Sequence, residues 1–555
     1  MFGYFKLSEI FGFAVLAEKG NISFANRNWR ILMFKCTFFV ILSLSIFWYD
    51  FSSYASASSE NSIQFENRQI DSDIIIKAVT EGKNIYLANC IIVNELNLDY
   101  DSLRHDYPSS QQYLIVSSTV SIDNCVFSEH VHFDKILFKE PIKLLNCEFK
   151  KTFALNFCMF ASGLFLGEID KYDGESVSIF LEDVTLYECR IKGGFDCTNC
   201  IFKKSFLFNS CYVGKGDMYY RIGASFRGVL FQGKASFAFS NFETYTRFSG
   251  GIIGPGMRRL TSKSCEFWNE ASFREVKFLD EVWFSRVLFR EKVIFSGAVF
   301  KAPTYFYGAI FFKDVDFNPT PPGINPPYAT KFLGPSFFDN VSFRQSADFT
   351  AAVFANDICF SNVSEFLRLE INWNALKNQL LYDERFYTAL IRNYKFLGQF
   401  EFADGAFHQY RKSRRKLNYQ WYNPQRALEY IFLDLSCGYG VKPHRTIFFG
   451  LFIILLFSLL YIRKGALEER RREDDKRTSS SLETNRILTR IATAIYFSVN
   501  TFSTVGYGDW YPSAEYFTIF SKRIIRYRSI AVIEGVIGWL VLSLFIVSLA
   551  KVWLR

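Results

Sequence analysis

Residues 504–508 read TVGYG and lie near the C-terminal end of this 555-residue chain. Glycines at alternate positions, Gly506 and Gly508, free the backbone so that successive carbonyl groups can point the same way. Four such strands around one axis would form rings of oxygen atoms, and such rings replace the water shell of a dehydrated cation. The stretch therefore predicts a cation site whose ligands are backbone oxygens rather than charged side chains.

Apolar segments flank this stretch on both sides. Thr446 to Ile462 carries no charge, Ile487 to Thr501 has the length of a helix, and Ile530 to Trp553 carries only two charges. Such segments can span a bilayer, where extended Gly-rich backbone is tolerated only if it lines a water-filled path. We therefore predict an α-helical two-span membrane pore with a re-entrant loop. Its parts are the first span 446–462, a charged linker 463–486, the pore helix and filter 487–512, and the second span 528–555.

The stretch resembles the filter of two-span potassium channels residue for residue, at Thr504, Val505, Gly506, Tyr507 and Gly508. The segments YFSVNTFS and VIEGVIG, Asp509 and Pro512 are also similar to that family, and the resemblance covers about residues 425–555. It implies a homotetramer in the lipid bilayer, with permeant K⁺ and no cofactor. It also implies that the Thr504 hydroxyl and the carbonyls of Thr504 to Tyr507 coordinate K⁺. By the same resemblance, Tyr507 braces the filter and Asp509 ties its mouth to the pore helix.

Two residues of the second span are further candidates. Glu534 is an ionisable group within a span, and such groups are functional by default. We expect it to support the pore helix and filter, with direct contact to the ion as the alternative. Gly538 is a possible gating hinge at which the inner helix bends, and close helix packing is the alternative.

Large apolar residues recur at alternating steps of six and five through the middle of the chain. The longest run consists of Phe267, Phe273, Phe278, Phe284, Phe289, Phe295, Phe300, Phe306, Phe311 and Phe317. Such steps fit neither a helix nor a hairpin strand, because successive side chains would drift around either. They fit a solenoid in which each short face contributes one inward ring. A small residue, such as Cys125, Cys147 or Ala298, often lies two positions before the ring.

This pattern resembles the pentapeptide-repeat family, whose chain winds as a four-sided β-helix with one repeat per face. One inserted residue in every second repeat departs from that family, so four faces would take 22 residues. Cys125 and Cys147, like Cys189 and Cys211, are 22 apart. We therefore predict a mainly β fold, a right-handed quadrilateral β-solenoid over residues 65–366. Insertions interrupt it after Leu98, Leu166, Val213, Ile253 and Phe317.

Helical segments should cap the solenoid and join it to the membrane. The segment DSDIIIKAVTEGK begins with Asp and Ser and ends near Gly, which predicts a short capping helix. We predict a helical linker and collar over residues 367–440, in which Glu370 to Tyr419 has helical periodicity with breaks expected at Gly398 and Gly405. Ala427 to Leu435 is amphipathic, which predicts a collar helix lying in the membrane interface.

Twelve cysteines raise three possibilities. Cys197 and Cys200 have the spacing of a redox pair, and stacked columns would allow disulfide bonds. Both residues also fall on the inward positions of the repeat, where a thiol acts as a small apolar group. We therefore favour a packing role.

The N-terminal segment 1–57 contains a basic flank, the apolar run Phe34 to Trp48 and the small-residue stretch SYASA. This layout is typical of a secretory signal, and an uncleaved spanning helix is the alternative. Nine Lys and Arg residues lie between Arg463 and Arg490, and four more between Lys522 and Arg528. The positive-inside rule then favours a cytoplasmic filter side, with the solenoid exported to the periplasm or outside. The filter orientation of potassium channels favours the opposite, a cytoplasmic solenoid.

We expect a potassium-selective channel in a cell membrane, a multi-pass protein that carries its solenoid as a sensing or docking domain. The alternative is a membrane-anchored, non-conducting repeat scaffold or adhesion protein. A mimic of a nucleic-acid surface would need an acidic rod, and faces such as FREVKF are not acidic. Five His and no useful carboxylate pair argue against an enzyme. The net charge of +9 is concentrated towards the C-terminal end, which argues against a nucleic-acid partner. The ligand of the solenoid is unknown.

Overall fold

The computed structural model describes residues 61–103, 113–167, 177–215, 223–249, 264–318, 329–363, 366–417, 424–469, 486–506, 508–519 and 522–554. Two compact units make up the chain, Met1–Ile63 and Gln64–Arg555. The signal-like segment 1–57, most of the insertion after Leu98 and the four later insertions lie outside the described residues. Their predicted character therefore stays a prediction.

Nine α-helices occur in the described residues, and all of them belong to the second unit. They are α1 Ser72–Thr80, α2 Tyr100–Leu103, α3 Trp373–Leu376, α4 Glu384–Phe396, α5 Phe400–Leu417, α6 Pro424–Glu429, α7 Pro443–Tyr461, α8 Arg486–Phe502 and α9 Tyr527–Trp553. A π-helical segment, Tyr430–Leu435, continues α6. Helices α7 and α9 are long and apolar enough to cross a membrane.

Short parallel strands form four columns, which we name the first to fourth face. The first face consists of Asn84–Ala88, Val120–Asp123, Ile142–Leu145, Leu164–Phe165, Phe195–Asp196, Ala224–Ser225, Thr246–Arg247, Val282–Trp283, Thr304–Tyr305, Ser336–Phe337 and Ile358–Cys359. The second consists of Gln69–Asp71, Ile91–Val93, Val126–Phe127, Glu148–Phe149, Ile179–Phe180, Ile201–Phe202, Leu230–Phe231, Glu266–Phe267, Leu288–Phe289, Ile310–Phe311 and the start of Ser342–Phe349. A further strand, Ser62–Glu66, precedes them.

The other two faces follow in chain order within each coil. The third face consists of Leu96–Asp99, Val131–Asp134, Phe153–Asn156, Val184–Tyr187, Phe206–Asn209, Ala235–Ser236, Ala271–Ser272, Val293–Ile294, Val315–Asp316, the end of Ser342–Phe349 and Phe366–Ile371. The fourth consists of Leu114–Val116, Ile136–Phe138, Met159–Phe160, Arg190–Ile191, Tyr212–Val213, Asn241–Phe242, Lys277–Phe278, Val299–Phe300, Lys331–Phe332 and Val353–Phe354.

The strand register confirms the predicted repeat. Ile142 pairs with Val120, Phe300 with Phe278, and Phe311 with Phe289, and each partner is 22 residues earlier. Longer steps occur where an insertion intervenes, as between Phe149 and Phe180, and at a one-residue bulge where Phe343 pairs with Phe366. The prediction of a mainly β solenoid built from parallel strands is confirmed, while its handedness and closed four-sided outline stay predictions.

Stacked aromatic rings fill the interior of the solenoid. The ring of Phe149 lies 4.5 Å from those of both Phe127 and Phe180, and all three are stacked face to face. Every described residue of the predicted inward series is buried. Burial of one such side chain contributes about 1.5–3 kcal/mol to the stability of the fold. The 22-residue step places like residues directly above one another.

The described cysteines contain no disulfide bond, and all but Cys359 are buried. Cys197 and Cys200 have no exposed surface. Burial raises the pKa of both thiols well above the usual range, which keeps them in the unreactive neutral form. Their position thus fits the packing role and not a redox pair.

Helices α3 to α5 close the end of the solenoid that leads to the membrane. Gly398 has a φ of 71° and separates α4 from α5, as the sequence predicts. The break predicted at Gly405 is wrong, because this residue lies inside α5. A Cβ atom at Gly405 would lie 2.4 Å from the indole nitrogen of Trp373. Glycine is thus placed there for close packing rather than for a turn.

Candidate ion pathway

Helices α7, α8 and α9 pack together at the C-terminal end of the chain. Pro443, whose ring suits the first turn of a helix, begins α7. Helix α8 packs against both α7 and α9, and the ring of Phe497 lies edge-on to that of Tyr461 at 4.9 Å. Residues of all three helices share one buried apolar cluster. Helix α8, which the sequence predicts as the pore helix, therefore packs against both apolar helices.

Glu534 of α9 joins the three helices at one carboxyl group. It has no exposed surface and accepts hydrogen bonds from the hydroxyl of Tyr461 on α7, at 2.8 Å, and from that of Ser498 on α8. The Ser498 hydroxyl also lies 2.9 Å from the carbonyl oxygen of Ile454. This geometry favours the supporting role of Glu534 over direct contact with an ion. The sequence analysis did not single out Tyr461 or Ser498. Tyr and Ser are common in apolar helices, so their presence alone does not indicate a function.

The described residues directly after α8 include three with left-handed backbone, and Val505, between the first two, is not left-handed. Thr504, Gly506 and Gly508 have positive φ values of 58°, 115° and 53°. Alternation of left-handed and ordinary residues turns successive carbonyl groups towards one side, which is what a row of cation ligands needs. Thr504 is β-branched, so its positive φ is a genuine outlier, and strain of this kind collects at functional sites.

The ends of this stretch are held by the pore helix. The backbone N–H groups of Thr504 and Val505 donate to the carbonyls of Thr501 and Asn500, at 3.3 and 3.2 Å. A Cβ atom at Gly508 would lie 2.9 Å from the Tyr496 hydroxyl, so glycine permits this approach. The sequence did not single out Tyr496.

The predicted roles of Tyr507 and Asp509 have different outcomes. Tyr507 lies outside the described residues, so its bracing role stays a prediction. Asp509 is exposed, and no hydrogen bond joins it to another described residue. The structure thus brings Gly508, and not Asp509, against the pore helix.

Two glycines surround the last residue of the pore helix. A Cβ atom at Gly538 of α9 would lie 2.1 Å from the carbonyl oxygen of Phe502, and one at Gly450 of α7 would lie 3.2 Å from its ring. Both spans therefore approach Phe502 closely, two residues before Thr504. This contact favours the packing role for Gly538, and its role as a hinge stays a prediction.

Two small antiparallel pairs lie on the filter side. Leu467–Glu469 pairs with Trp510–Pro512, which ties the end of α7 to the chain beyond the filter. Tyr516–Ile519 pairs with Lys522–Arg526 as a hairpin just before α9. The Arg463 guanidinium lies over the Phe517 ring at 4.4 Å and donates to the carbonyl of Thr518. No pattern in the sequence had indicated this hairpin.

A buried carboxylate connects the linker helices to the first span. Asp434 binds Arg415 of α5 at 2.6 Å and His408 of α5 at 3.3 Å, and Arg445 of α7 lies 4.0 Å away. Burial and the charge of nearby Lys442 lower the pKa of His408, against the opposing effect of Asp434. On the same helix, the Phe407 ring lies 4.6 Å from the ammonium group of Lys551 near the end of α9. Helix α5 therefore contacts Asp434, which lies 4.0 Å from Arg445 in the first turn of α7, and Lys551 near the end of α9.

The comparisons with known proteins agree with this geometry. Residues 474–555 match the ion channel family. A model of pentapeptide repeats, in nine copies, matches residues 273–320. No curated protein and no solved structure matches the chain.

The resemblance of the chain to these two families is therefore confirmed, each over its own segment. The ion channel segment contains α8, the filter stretch and α9. Together with the two apolar helices, it indicates a membrane protein with a transport role rather than an enzymatic one. Among the described residues, no cluster of His, Cys, Asp or Glu is arranged to hold a metal ion.

Proposed function

We propose that this protein is a homotetrameric, potassium-selective channel in which the solenoid acts as a sensing or docking domain. The observation that carries the proposal is the backbone of the TVGYG stretch, with positive φ at Thr504, Gly506 and Gly508 directly after the pore helix. In this proposal the carbonyls of Thr504 to Tyr507 and the Thr504 hydroxyl coordinate K⁺ in place of water.

The exposure of the predicted filter in a single chain supports the proposed tetramer. Val505 is 80% exposed, and a Cβ atom at Gly506 would meet no other atom within 4 Å. One strand provides only part of a ring of oxygens. Three further copies would cover the apolar Val505 side chain and complete the ring.

The sensing role is supported by the path from the solenoid to the spans. Helix α5 is anchored to the collar through Arg415 and Asp434 and to α9 through Phe407 and Lys551. A movement of the solenoid end would therefore act on both spans. We propose that this contact transmits the state of the solenoid to the pore.

The direct test is ionic current through the purified full-length protein in planar bilayers, with K⁺ on one side and Na⁺ on the other. We expect a reversal potential near the potassium limit in the wild type and loss of the current in Gly506→Asp. Gly82→Asp is the matched control, because Gly82 also has positive φ and open space around it but lies beside α1.

A current without preference for K⁺ would contradict the selectivity. Absence of current in a protein that is monomeric or dimeric in detergent would favour the non-conducting scaffold or adhesion protein. Current that survives Gly506→Asp would exclude the TVGYG stretch as the filter.

We further propose that the filter side faces the cytoplasm and that the solenoid is exported, on the basis of the Lys and Arg residues of the filter side. Cysteines introduced into the linker 465–481 test this with a membrane-impermeant thiol reagent. Protection from reagent added outside intact cells is expected, and labelling from outside would support the opposite orientation.

A further inference from the structure

Residues with positive φ recur along two edges of the solenoid, but the amino-acid types at these positions differ between the two edges. Along the edge between the first and second faces, the 1–2 edge, the residues with positive φ are Asn89, Asn124, Asn146, Asn199, Gly228, Arg286, Gly308, Asn340 and Asn362. Asn and Gly are the types that tolerate this conformation best. Along the edge between the third and fourth faces, the 3–4 edge, they are Lys135, Phe157, Glu188, Ser210, Phe239, Glu275 and Gly297. The absence of Asn from this second list shows that its composition serves something other than the backbone.

Two phenylalanines stand out on the 3–4 edge. Phe157 and Phe239 have φ values of 53° and 62°, and their side chains are 37% and 55% exposed. The Phe157 ring packs edge-on against Tyr187, which is itself exposed. A bulky residue in the left-handed region is strained, and an exposed ring gains little from burial. Phe157 with Tyr187, and Phe239 further along the edge, thus expose apolar surface that contact with another chain would bury.

The two faces beside this edge carry opposite charge. Exposed basic residues of the fourth face are Lys139, Arg190, Lys192, Lys277, Lys301 and Lys331, and the half-buried Glu243 of this face has the opposite sign. Outward acidic residues of the third face are Asp99, Asp134, Asp316, Asp348 and Glu370, with Arg274 and Arg368 of opposite sign. Burial and the like charge of Asp348 raise the pKa of Asp316, against the opposing charges of Lys292 and Arg274.

We propose that copies of this chain associate along the 3–4 edge, with the third face of one solenoid against the fourth face of the next. This inference rests on the proposed homotetramer. In the four-sided cross-section predicted from the sequence, a ring of four uses two adjacent faces of each member, and such a head-to-tail contact closes a cyclic oligomer. The acidic face then meets the basic face, and Phe157 and Phe239 point towards the symmetry axis.

Oxidative cross-linking of the purified full-length protein tests the edge. The background is a variant in which Cys36 and Cys359 are replaced by Ser, because the other ten cysteines are buried. Phe239→Cys and Phe157→Cys are introduced into this background separately. Tyr307→Cys is the matched control, because Tyr307 is 48% exposed on the diagonally opposite 1–2 edge. We expect disulfide-linked dimers in both Phe variants, at least tenfold more abundant than in the Tyr307 variant.

A double variant tests the direction of the contact. Lys331→Cys on the fourth face combined with Asp348→Cys on the third face should give covalent trimers and tetramers, because each link joins two different faces. Each single variant should give no covalent product. Dimers from the single variants, with no higher products from the double one, would indicate a like-to-like contact and overturn the head-to-tail arrangement.

The outcomes separate this inference from the proposed channel. Potassium current from a tetramer in which neither Phe variant cross-links, or in which Tyr307→Cys cross-links as well, would overturn the solenoid contact and leave the channel in place. Cross-linking at Phe239 and Phe157 in a protein without current would support the contact and count against the channel.

Discussion

Gly538 of α9 lies directly against the backbone of Phe502, the last residue of the pore helix. A Cβ atom on Gly538 would come within 2.1 Å of the Phe502 carbonyl oxygen and 2.9 Å of its Cα atom. The inner span thus touches the chain two residues before the filter begins. Any side chain at this position must displace main-chain atoms rather than a flexible group.

We predict that Gly538→Ala destabilises the protein and abolishes current. Overpacking of a tight contact costs about 1–3 kcal/mol, and here the contact is to backbone. The measurement is the thermal unfolding midpoint of the purified protein together with bilayer current. Gly535→Ala is the control, because its Cβ atom would lie 3.7 Å from the Thr501 carbonyl, an ordinary contact. Unchanged stability with altered opening in Gly538→Ala would instead favour the hinge.

Removal of either hydroxyl from the Glu534 site should weaken the helix contacts. Tyr461→Phe and Ser498→Ala each leave a carboxyl oxygen without its partner, at a cost of about 1–3 kcal/mol. Thermal unfolding of the two single variants and the double variant measures this loss. Because both hydroxyls bind one carboxyl group, we expect the two effects to be non-additive.

Ser543→Ala serves as the control for this site. The Ser543 hydroxyl donates only to the Trp539 carbonyl of its own helix, at 2.8 Å. Its removal should therefore change the midpoint little. If Ser543→Ala and Ser498→Ala lowered the unfolding midpoint equally, the hydrogen bond from Ser498 to Glu534 would add no stability of its own.

Acidic pH should lower the stability of the folded protein through His408. Its pKa is lowered in the folded protein, so protonation favours the unfolded state. The stabilising contribution is complete above the unfolded pKa of about 6.5 and is lost as the pH falls through the lower folded value.

Comparison of unfolding midpoints at pH 7.5 and 5.5 tests this effect. The decrease should be smaller in His408→Gln than in the wild type. His444→Gln is the control, since His444 is exposed at the start of α7 and should leave the decrease unchanged. Equal decreases in all three proteins would contradict a role for His408.

The buried cysteines should resist alkylation in the folded protein. Cys197 and Cys200 have no exposed surface and raised thiol pKa values, while Cys359 is partly exposed. Mass spectrometry after iodoacetamide treatment should find Cys359 modified first and the pair only after denaturation. Rapid modification of Cys197 or Cys200, or a bond between them, would restore the redox interpretation.

Much of the solenoid could be predicted because its pattern is local and repeated. The alternation of six and five residues fixes which side chains turn inward, and the same choice recurs in every coil, as the 22-residue pairing of Phe278 with Phe300 shows. Gly405 shows the limit of such reasoning. A glycine in a helical pattern reads as a break, and only the position of Trp373, 32 residues earlier, explains why it continues the helix.

For the three C-terminal helices, too, some features could be predicted from the sequence and others could not. The sequence by itself determined the two long apolar helices and predicted the filter stretch, because hydrophobic length and a run of alternate glycines are properties of consecutive residues. Only the tertiary structure decided that Glu534 binds Tyr461, 73 residues away, that Gly538 meets Phe502, and that Asp434 holds α5. These contacts depend on which sides of three helices face one another. Helical periodicity leaves that choice open when, as in α7 and α9, every side is apolar.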